Sequence, residues 1–233
     1  MKFELRYRAV LFDLDGTLID SSTDLVNSVR HALGRVDPRE PPDADTILME
    51  VGKPLEVILK ELCYPHDPQS TDLFVKTYRD HFAEHFNEHT TLFPDAREVL
   101  DALRLARVRL ALVTTKHQVQ ADFTARELGL ANRFEYIHGW KEGRKHKPDP
   151  EPLLVAAGEL GVSPAEALMV GDSEQDILAA KAAGIDACAV TYGFRPLLML
   201  RTLRPDYLIP RLPDLLPIVG HPADEHEQAA EPD

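Results

Sequence analysis

Two aspartates that follow an apolar run near the N-terminus are the residues of this chain best suited to chemistry. The run Ala9-Val10-Leu11-Phe12 is typical of a short buried strand, and Asp13-Leu14-Asp15-Gly16-Thr17 comes directly after it. Carboxylates are costly in an apolar core, but a divalent cation can compensate them at the end of a strand. Gly16 permits a tight exit of the chain. The alternative is a strand-ending turn whose acids face water.

Two further strand patterns end in polar residues that could meet this pair. Thr114 and Thr115 close one apolar run, although threonine is also simply a good strand residue. Gly171-Asp172 closes another, and Asp176 lies one helical turn further on, so that both aspartates can face one site. Acids at a helix N-terminus also interact favourably with the helix dipole, and this effect could explain the two aspartates without any catalytic role. Lys147-Pro148 opens a helical pattern, where a lone lysine is more often a solvated loop charge.

The order of these four motifs resembles that of the haloacid dehalogenase superfamily, in its phosphatase branch. The resemblance runs from about Val10 to Asp206 and is strongest to the phosphoglycolate phosphatase-like group, which includes pyrophosphatases and β-phosphoglucomutases. Asp15 distinguishes the chain from the dehalogenases themselves, which lack the second aspartate of the first motif. A catalytically idle interaction module is a remote alternative, because every motif residue that the chemistry needs is present.

The resemblance implies a role for each motif residue. Asp13 would be the nucleophile that forms an aspartyl-phosphate, and Asp15 would serve as general acid and then as general base. Thr114 would hold phosphate oxygens, and Lys147 would neutralise charge on the nucleophile and the phosphoryl group. The implied cofactor is Mg²⁺, whose expected ligands are Asp13, the backbone carbonyl of Asp15, Asp172 and, directly or through water, Asp176.

Gly16, Thr115 and Lys53 are the expected substrate-binding residues. Thr115 stands where relatives often carry asparagine, which puts an amide contact to the substrate in doubt. Lys53 could bind a substrate carboxylate or a second phosphate, although a solvent-facing lysine explains the sequence equally well. Related phosphonatases use a lysine of this region as a Schiff-base nucleophile, but the setting Gly-Lys-Pro does not match theirs. Trp140 lies where relatives usually have a short acidic residue.

Hydrophobic periodicity divides the chain into an α/β core and a helical insertion. Strand and helix patterns alternate in residues 1–19 and 92–220, which predicts a three-layer, Rossmann-like core with a parallel sheet. Residues 20–91 carry three helical patterns and match the family's helical cap domain. One of these patterns is an aromatic stripe with i,i+4 spacing, expected to lie in the core. Residues 221–233 are acidic, without apolar periodicity, and are expected to form a disordered tail.

Composition restricts the partners and the compartment. The formal net charge of −13 disfavours binding to nucleic acid, because a phosphate backbone demands a basic surface. No apolar run reaches the ~20 residues of a membrane span, and no signal peptide precedes the first strand pattern. Cys63 and Cys188 lie in apolar patterns and are expected to be buried thiols of a cytoplasmic protein. We expect a monomer or a homodimer.

These observations predict a Mg²⁺-dependent phosphatase of a small phosphorylated metabolite, with phosphoglycolate as the first candidate substrate. Hydrolysis of inorganic pyrophosphate is the second candidate, because the run Lys147-Pro148-Asp149-Pro150-Glu151-Pro152 resembles the pyrophosphatase members of the family. A phosphoglucomutase is the third, since Asp15 would suit it equally well.

Overall fold

The structure, a computed structural model, describes residues 3–222, and its central feature is a parallel sheet. Within these residues the strands are β1 (Phe3–Leu5), β2 (Ala9–Phe12), β3 (Ile19–Asp20), β4 (Thr91–Leu92), β5 (Arg109–His117), β6 (Tyr136–Trp140), β7 (Ala167–Gly171), β8 (Asp186–Val190), β9 (Tyr207–Ile209) and β10 (Gly220–Pro222). The α-helices are α1 (Ser22–Val36), α2 (Ala44–Leu48), α3 (Leu55–Glu61), α4 (Pro68–His85), α5 (Ala96–Leu105), α6 (Gln118–Glu127), α7 (Glu151–Glu159), α8 (Glu174–Ala183), α9 (Leu197–Thr202) and α10 (Leu216–Val219).

Six strands form the parallel sheet in the order β6-β5-β2-β7-β8-β9. The central strand β2 pairs with β5 on one side and β7 on the other, so that Phe12 is level with Leu112 and Val170. Because parallel strands share a direction, the residues that follow these three positions emerge at the same edge of the sheet.

Hydrophobic side chains cover both faces of the sheet and form the predicted three-layer core. Along β2 the side chains alternate: Val10 and Phe12 join one buried cluster, whereas Leu11 joins the other. Leu100 of α5 packs into the first cluster and Ile177 of α8 into the second. The α/β fold class predicted from the sequence is therefore confirmed.

Helices α1 to α4, which we call the insertion, lie between β3 and β4 and have a hydrophobic cluster of their own. Val29, Leu33, Leu59 and Phe74 are among its buried members. The chain enters and leaves the insertion through β3 and β4, which pair with each other in antiparallel orientation. In the described part of the chain, no helix combines the length and the apolar character that a membrane crossing requires.

The insertion contains one helix more than the three patterns predicted. The additional helix, α2, follows the proline-rich stretch and begins at Asp43, whose side chain accepts a hydrogen bond from the Thr46 N–H. Its five residues are too few for hydrophobic periodicity to reveal. Residues 221 and 222, which were expected in the disordered tail, belong instead to β10, which pairs with β1. Residues 223–233 lie outside the described part of the chain.

One expectation about buried side chains is corrected. Cys188 is buried, but Cys63 is exposed: it follows the end of α3 with a positive φ of 58°, and so turns away from the apolar face of that helix. The aromatic stripe on α4 is core, as expected at Phe74 and Phe82, which are both buried, and Tyr78 packs against the same hydrophobic cluster. Tyr78 and Phe82 also line a cavity between the insertion and the sheet.

Candidate active site

The carboxyl edge of the sheet brings three of the predicted motif residues together. Asp13 follows β2, and its N–H donates to the Val170 carbonyl of β7 at 2.9 Å. Thr114 lies on the neighbouring strand β5, and Asp172 directly follows β7. All three side chains line one cavity of about 780 Å³, which is closed on the other side by the insertion.

Three buried carboxylates at this edge form a candidate metal site. Asp13, Asp172 and Asp176 each offer an oxygen atom, and these atoms all lie within 4.8 Å of one another. Burial, together with the neighbouring carboxylates of Asp176 and Asp13, raises the pKa of Asp172 to about 8. Burial also raises the pKa of Asp13 to about 7, against the opposing effect of Lys147. The cluster therefore favours an added positive charge.

In the described part of the chain, Lys147 is the cation that contacts Asp13, the predicted nucleophile. Its ammonium is buried and lies 3.0 Å from Asp13 Oδ1 and 2.5 Å from Asp176 Oδ1, and it donates to the Val113 carbonyl at 2.8 Å. Burial alone lowers the pKa of this amine, but the two carboxylates outweigh it, so that the pKa is raised and the charge is kept. When Asp13, Asp172 and Asp176 are all ionised, they carry more negative charge than this ammonium, which contacts Asp13 and Asp176, can compensate. Oxygen ligands and an excess of negative charge are the conditions that suit Mg²⁺.

A helix cap and three glycines hold the acids in place. Asp176 Oδ2 accepts hydrogen bonds from the backbone and the hydroxyl of Ser173, the N-terminal cap of α8. Gly16 has a φ of +82°, and a Cβ there would overlap the Asp172 carboxylate. A Cβ at Gly193 or Gly171 would overlap Asp172 or Asp176 in the same way. The backbone therefore approaches both acids more closely than any larger residue allows.

Asp15, the predicted general acid, is separate from the metal cluster. Its Oδ1 accepts the Ser21 hydroxyl at 2.5 Å and the Lys116 ammonium at 2.9 Å. Ser21 is the first residue before α1, but its hydroxyl bonds to Asp15 instead of to the helix. Lys116 was missed in the sequence because β5 was expected to end at Thr115. The strand continues to His117, and the period of two along a strand places Lys116 on the side of Thr114.

The predicted substrate-binding residues have different positions. Thr115 lines the cavity, as does Trp140, whose ring packs against His117. Lys53 lies between two residues that line it, Gly52 and Pro54, but is itself outside the described lining. The Lys53 ammonium is instead 2.5 Å from Glu50 Oε2, with a quarter of its side chain exposed. Its role in binding the substrate stays a prediction.

Arg195 is a second residue that sequence reasoning missed. Its buried guanidinium donates to Glu174 at 2.6 Å, and reaches across to the insertion, where it donates to the carbonyls of Leu48 (2.6 Å) and Val51 (2.7 Å). The sequence around it carries no recognisable motif, because both kinds of partner are distant along the chain. Arg195 therefore ties the end of α2 and the loop that follows it to the first turn of α8.

Comparison with known proteins agrees with this architecture. Residues 10–190 match the family described as haloacid dehalogenase-like hydrolase. Pyrophosphatase PpaX of Halalkalibacterium halodurans is 35% identical over 216 residues, which cover 93% of this chain and 98% of the relative. Phosphoglycolate phosphatase of Chromobacterium violaceum is 37% identical over 199 residues, which cover 80% and 86%. A haloacid dehalogenase-like hydrolase from Streptococcus pneumoniae superposes with a TM-score of 0.83 at 28% identity, covering 91% of this chain and 98% of that one.

The motifs, the sheet that positions them and the relatives all lead to one assignment, which confirms the resemblance seen in the sequence. The chain belongs to the haloacid dehalogenase-like hydrolase family and, within it, is similar to phosphatases.

Proposed function

We propose that this protein is a Mg²⁺-dependent phosphatase that hydrolyses a small phosphorylated metabolite through an aspartyl-phosphate. The observation that carries the proposal is the convergence of Asp13, Asp172, Asp176 and Lys147 at one buried point of the sheet edge. A phosphoryl group is anionic, and its transfer demands a nucleophile together with positive charge to stabilise the oxygens of the transition state.

The residues that would hold Mg²⁺ are Asp13, Asp172 and Asp176, together with the backbone carbonyl of Asp15. The donor set fits, because the three described carboxylates supply hard oxygen ligands and carry more negative charge than Lys147 compensates. When bound, the ion supplies electrostatic stabilisation of the phosphoryl oxygens.

The chain's own residues divide the reaction into two halves. In the first, an Asp13 carboxylate oxygen forms a bond to phosphorus while the bond from phosphorus to the leaving oxygen breaks, and Asp15 gives that oxygen its proton. In the second, water attacks the phosphorus and passes a proton to Asp15, and the bond between Asp13 and phosphorus breaks to release phosphate. Lys147 stays charged throughout, and Thr114 and nearby backbone N–H groups hold phosphate oxygens.

The insertion, residues 20–91, is proposed to act as the cap that covers the bound substrate and excludes water from the aspartyl-phosphate. Phosphoglycolate is the first candidate substrate, in keeping with the name of the relative from Chromobacterium violaceum. Inorganic pyrophosphate is the second, in keeping with the relatives named PpaX and with the run from Lys147 to Pro152.

Phosphate release from a panel of esters tests the proposal. The panel contains phosphoglycolate, inorganic pyrophosphate, sugar phosphates and p-nitrophenyl phosphate, each with Mg²⁺ and with a chelator. The Asp13→Asn variant, which is nearly isosteric, should lose more than about 100-fold in turnover, because an amide is neither a nucleophile nor a good ligand of Mg²⁺. Turnover of this variant within about tenfold of the wild type, at equal Mg²⁺, would remove Asp13 from the mechanism.

A further inference from the structure

Asp15 is held through only one of its two carboxylate oxygens. The Ser21 hydroxyl and the Lys116 ammonium both donate to Oδ1, at 2.5 and 2.9 Å. Among residues 3–222, no hydrogen bond reaches Oδ2. These two bonds fix the orientation of the Asp15 carboxylate through Oδ1. Oδ2 is therefore the oxygen that can exchange a proton in the cavity.

The Lys116 side chain is almost completely buried, and its surroundings hold the ammonium at Asp15. Only 4% of its side chain is exposed, and its ammonium lies 4.9 Å from the centre of the Phe82 ring. A cation that is withdrawn from water is attracted to the face of an aromatic ring. The ammonium is thus held between a carboxylate at the sheet edge and an aromatic ring of the insertion, and both contacts are stronger because the site is desolvated.

We propose that Lys116 is a positioning residue for the general acid. By holding Oδ1 together with Ser21, it directs Oδ2 to the leaving oxygen of the substrate. As the bond from phosphorus to that oxygen breaks and the bond from Asp13 to phosphorus forms, the proton on Oδ2 moves to the leaving oxygen. This inference rests on the proposed phosphatase function and adds a residue that none of the four motifs contains.

The role of Lys116 makes the effect of its loss depend on the leaving group. An alkoxide is a poor leaving group and needs the proton from Asp15, whereas p-nitrophenolate is stable enough to depart without it. The ratio kcat/KM reports the steps up to the first irreversible one, in which the ester bond breaks, and so excludes later hydrolysis of the aspartyl-phosphate. A residue that only stabilised the fold would lower the rates on both esters alike.

The experiment compares the wild type with Lys116→Met, Lys116→Gln and Lys116→Arg, using p-nitrophenyl phosphate and a simple alkyl phosphate with saturating Mg²⁺. Lys76→Met is the matched control, because Lys76 is exposed and pairs with Asp80 on the outside of α4, away from Asp15. Melting curves verify folding. We expect Lys116→Met to lower kcat/KM at least about tenfold on the alkyl ester and less than about threefold on the aryl ester. Arginine should restore part of the loss, and Lys116→Gln should show the same pattern if the methionine variant does not fold.

The outcomes separate the inference from the function on which it rests. Equal losses on both esters, or no loss on either, in a folded variant would overturn the role of Lys116 while leaving the phosphatase intact. A wild type that releases phosphate from neither ester would overturn the proposed function, and the inference with it. A selective loss in Lys76→Met as well would show that the leaving-group dependence does not come from Asp15.

Discussion

Lys147 bears one positive charge among several carboxylates, and this imbalance defines the site at the residue scale. Its contacts to Asp13 and Asp176 are both 3.0 Å or shorter, whereas no cation within residues 3–222 forms an ion pair with Asp172. Instead, Asp172 accepts the Phe194 N–H and the Thr17 hydroxyl. The geometry of the acids therefore depends on close backbone contacts as much as on ion pairing.

Gly16 offers a direct test of that dependence. Replacement by alanine adds a Cβ where the Asp172 carboxylate lies and places an ordinary residue at a φ of +82°. We expect Gly16→Ala to lower the free energy of unfolding by more than about 1 kcal/mol and to weaken Mg²⁺ binding. Chemical denaturation with and without Mg²⁺ measures both effects.

Gly34 supplies the matched control for this substitution. It lies within α1, and a Cβ there meets nothing within 4 Å. Gly34→Ala should therefore raise stability by roughly 0.5–1 kcal/mol through helix propensity and leave Mg²⁺ binding unchanged. If Gly16→Ala were as stable as the Gly34 variant, the close approach of the backbone to Asp172 would be unimportant.

The meeting of Asp13, Thr114 and Asp172 at the sheet edge could be predicted from the sequence, whereas the residues that support them could not. Asp13, Asp172 and Lys147 belong to motifs whose order and spacing resemble those of a known family. Lys116 and Arg195 lack such a signature, because each acts on a partner that only the folded chain brings near. Local patterns along the sequence contain no information about such contacts.

At the scale of elements, Arg195 ties the end of α2 and the loop that follows it to the first turn of α8. The Arg195 guanidinium satisfies two carbonyls of this segment and the carboxylate of Glu174. We expect Arg195→Met to leave the buried carboxylate of Glu174 without its cation. The attachment should weaken by about 3 kcal/mol, which corresponds to a roughly 100-fold larger population of molecules with the insertion detached. Amide hydrogen exchange should accelerate in residues 44–62, while β2, β5 and β7 stay protected.

Arg201→Met is the control for this comparison, because Arg201 is exposed on the neighbouring helix α9. It should leave the exchange of the insertion unchanged. If exchange in the Arg195 variant accelerated equally in the insertion and in the central strands, the whole protein would be destabilised. That result would contradict the claim that Arg195 stabilises the attachment of the insertion locally.

Lys53 lies in the same loop and tests whether this element also recognises the substrate. Its ammonium is paired with Glu50, so it must leave that partner to reach an anionic substrate. If it does, Lys53→Ala should raise KM for the natural substrate roughly 10- to 150-fold, the worth of one charge-assisted contact, and leave p-nitrophenyl phosphate turnover nearly unchanged. Equal KM values for the variant and the wild type would show that Lys53 pairs with Glu50 and does not contact the substrate.

At the scale of the whole molecule, pH and Mg²⁺ act on the same carboxylates. Because the pKa values of Asp172 and Asp13 are raised to about 8 and about 7, the metal-free native state keeps protons that the unfolded chain has lost. The free energy of unfolding of the metal-free protein therefore falls as pH rises from about 4 to about 8. Binding of Mg²⁺ requires that these protons leave, so its affinity should rise over the upper part of that range.

Thermal melting at a series of Mg²⁺ concentrations checks this linkage without any assay of activity. Between about pH 6 and pH 8, the Mg²⁺ concentration for half of the maximal stabilisation should fall about tenfold for each pH unit over which one proton is displaced. The Asp172→Asn variant should show a weaker dependence on pH. A half-saturating concentration that stayed constant across this range would contradict the competition between protons and metal.

The pairing of β3 with β4 has a consequence for how such a protein can change. Since the chain enters and leaves the insertion through two short strands that pair with each other as a separate two-stranded ribbon, the whole insertion is topologically equivalent to the loop of a hairpin. Its length and internal order do not affect the strand order of the sheet. A chimera that carries a relative's insertion on this sheet should therefore keep Asp13, Asp172 and Asp176 of this chain in place while the helices that cover them change.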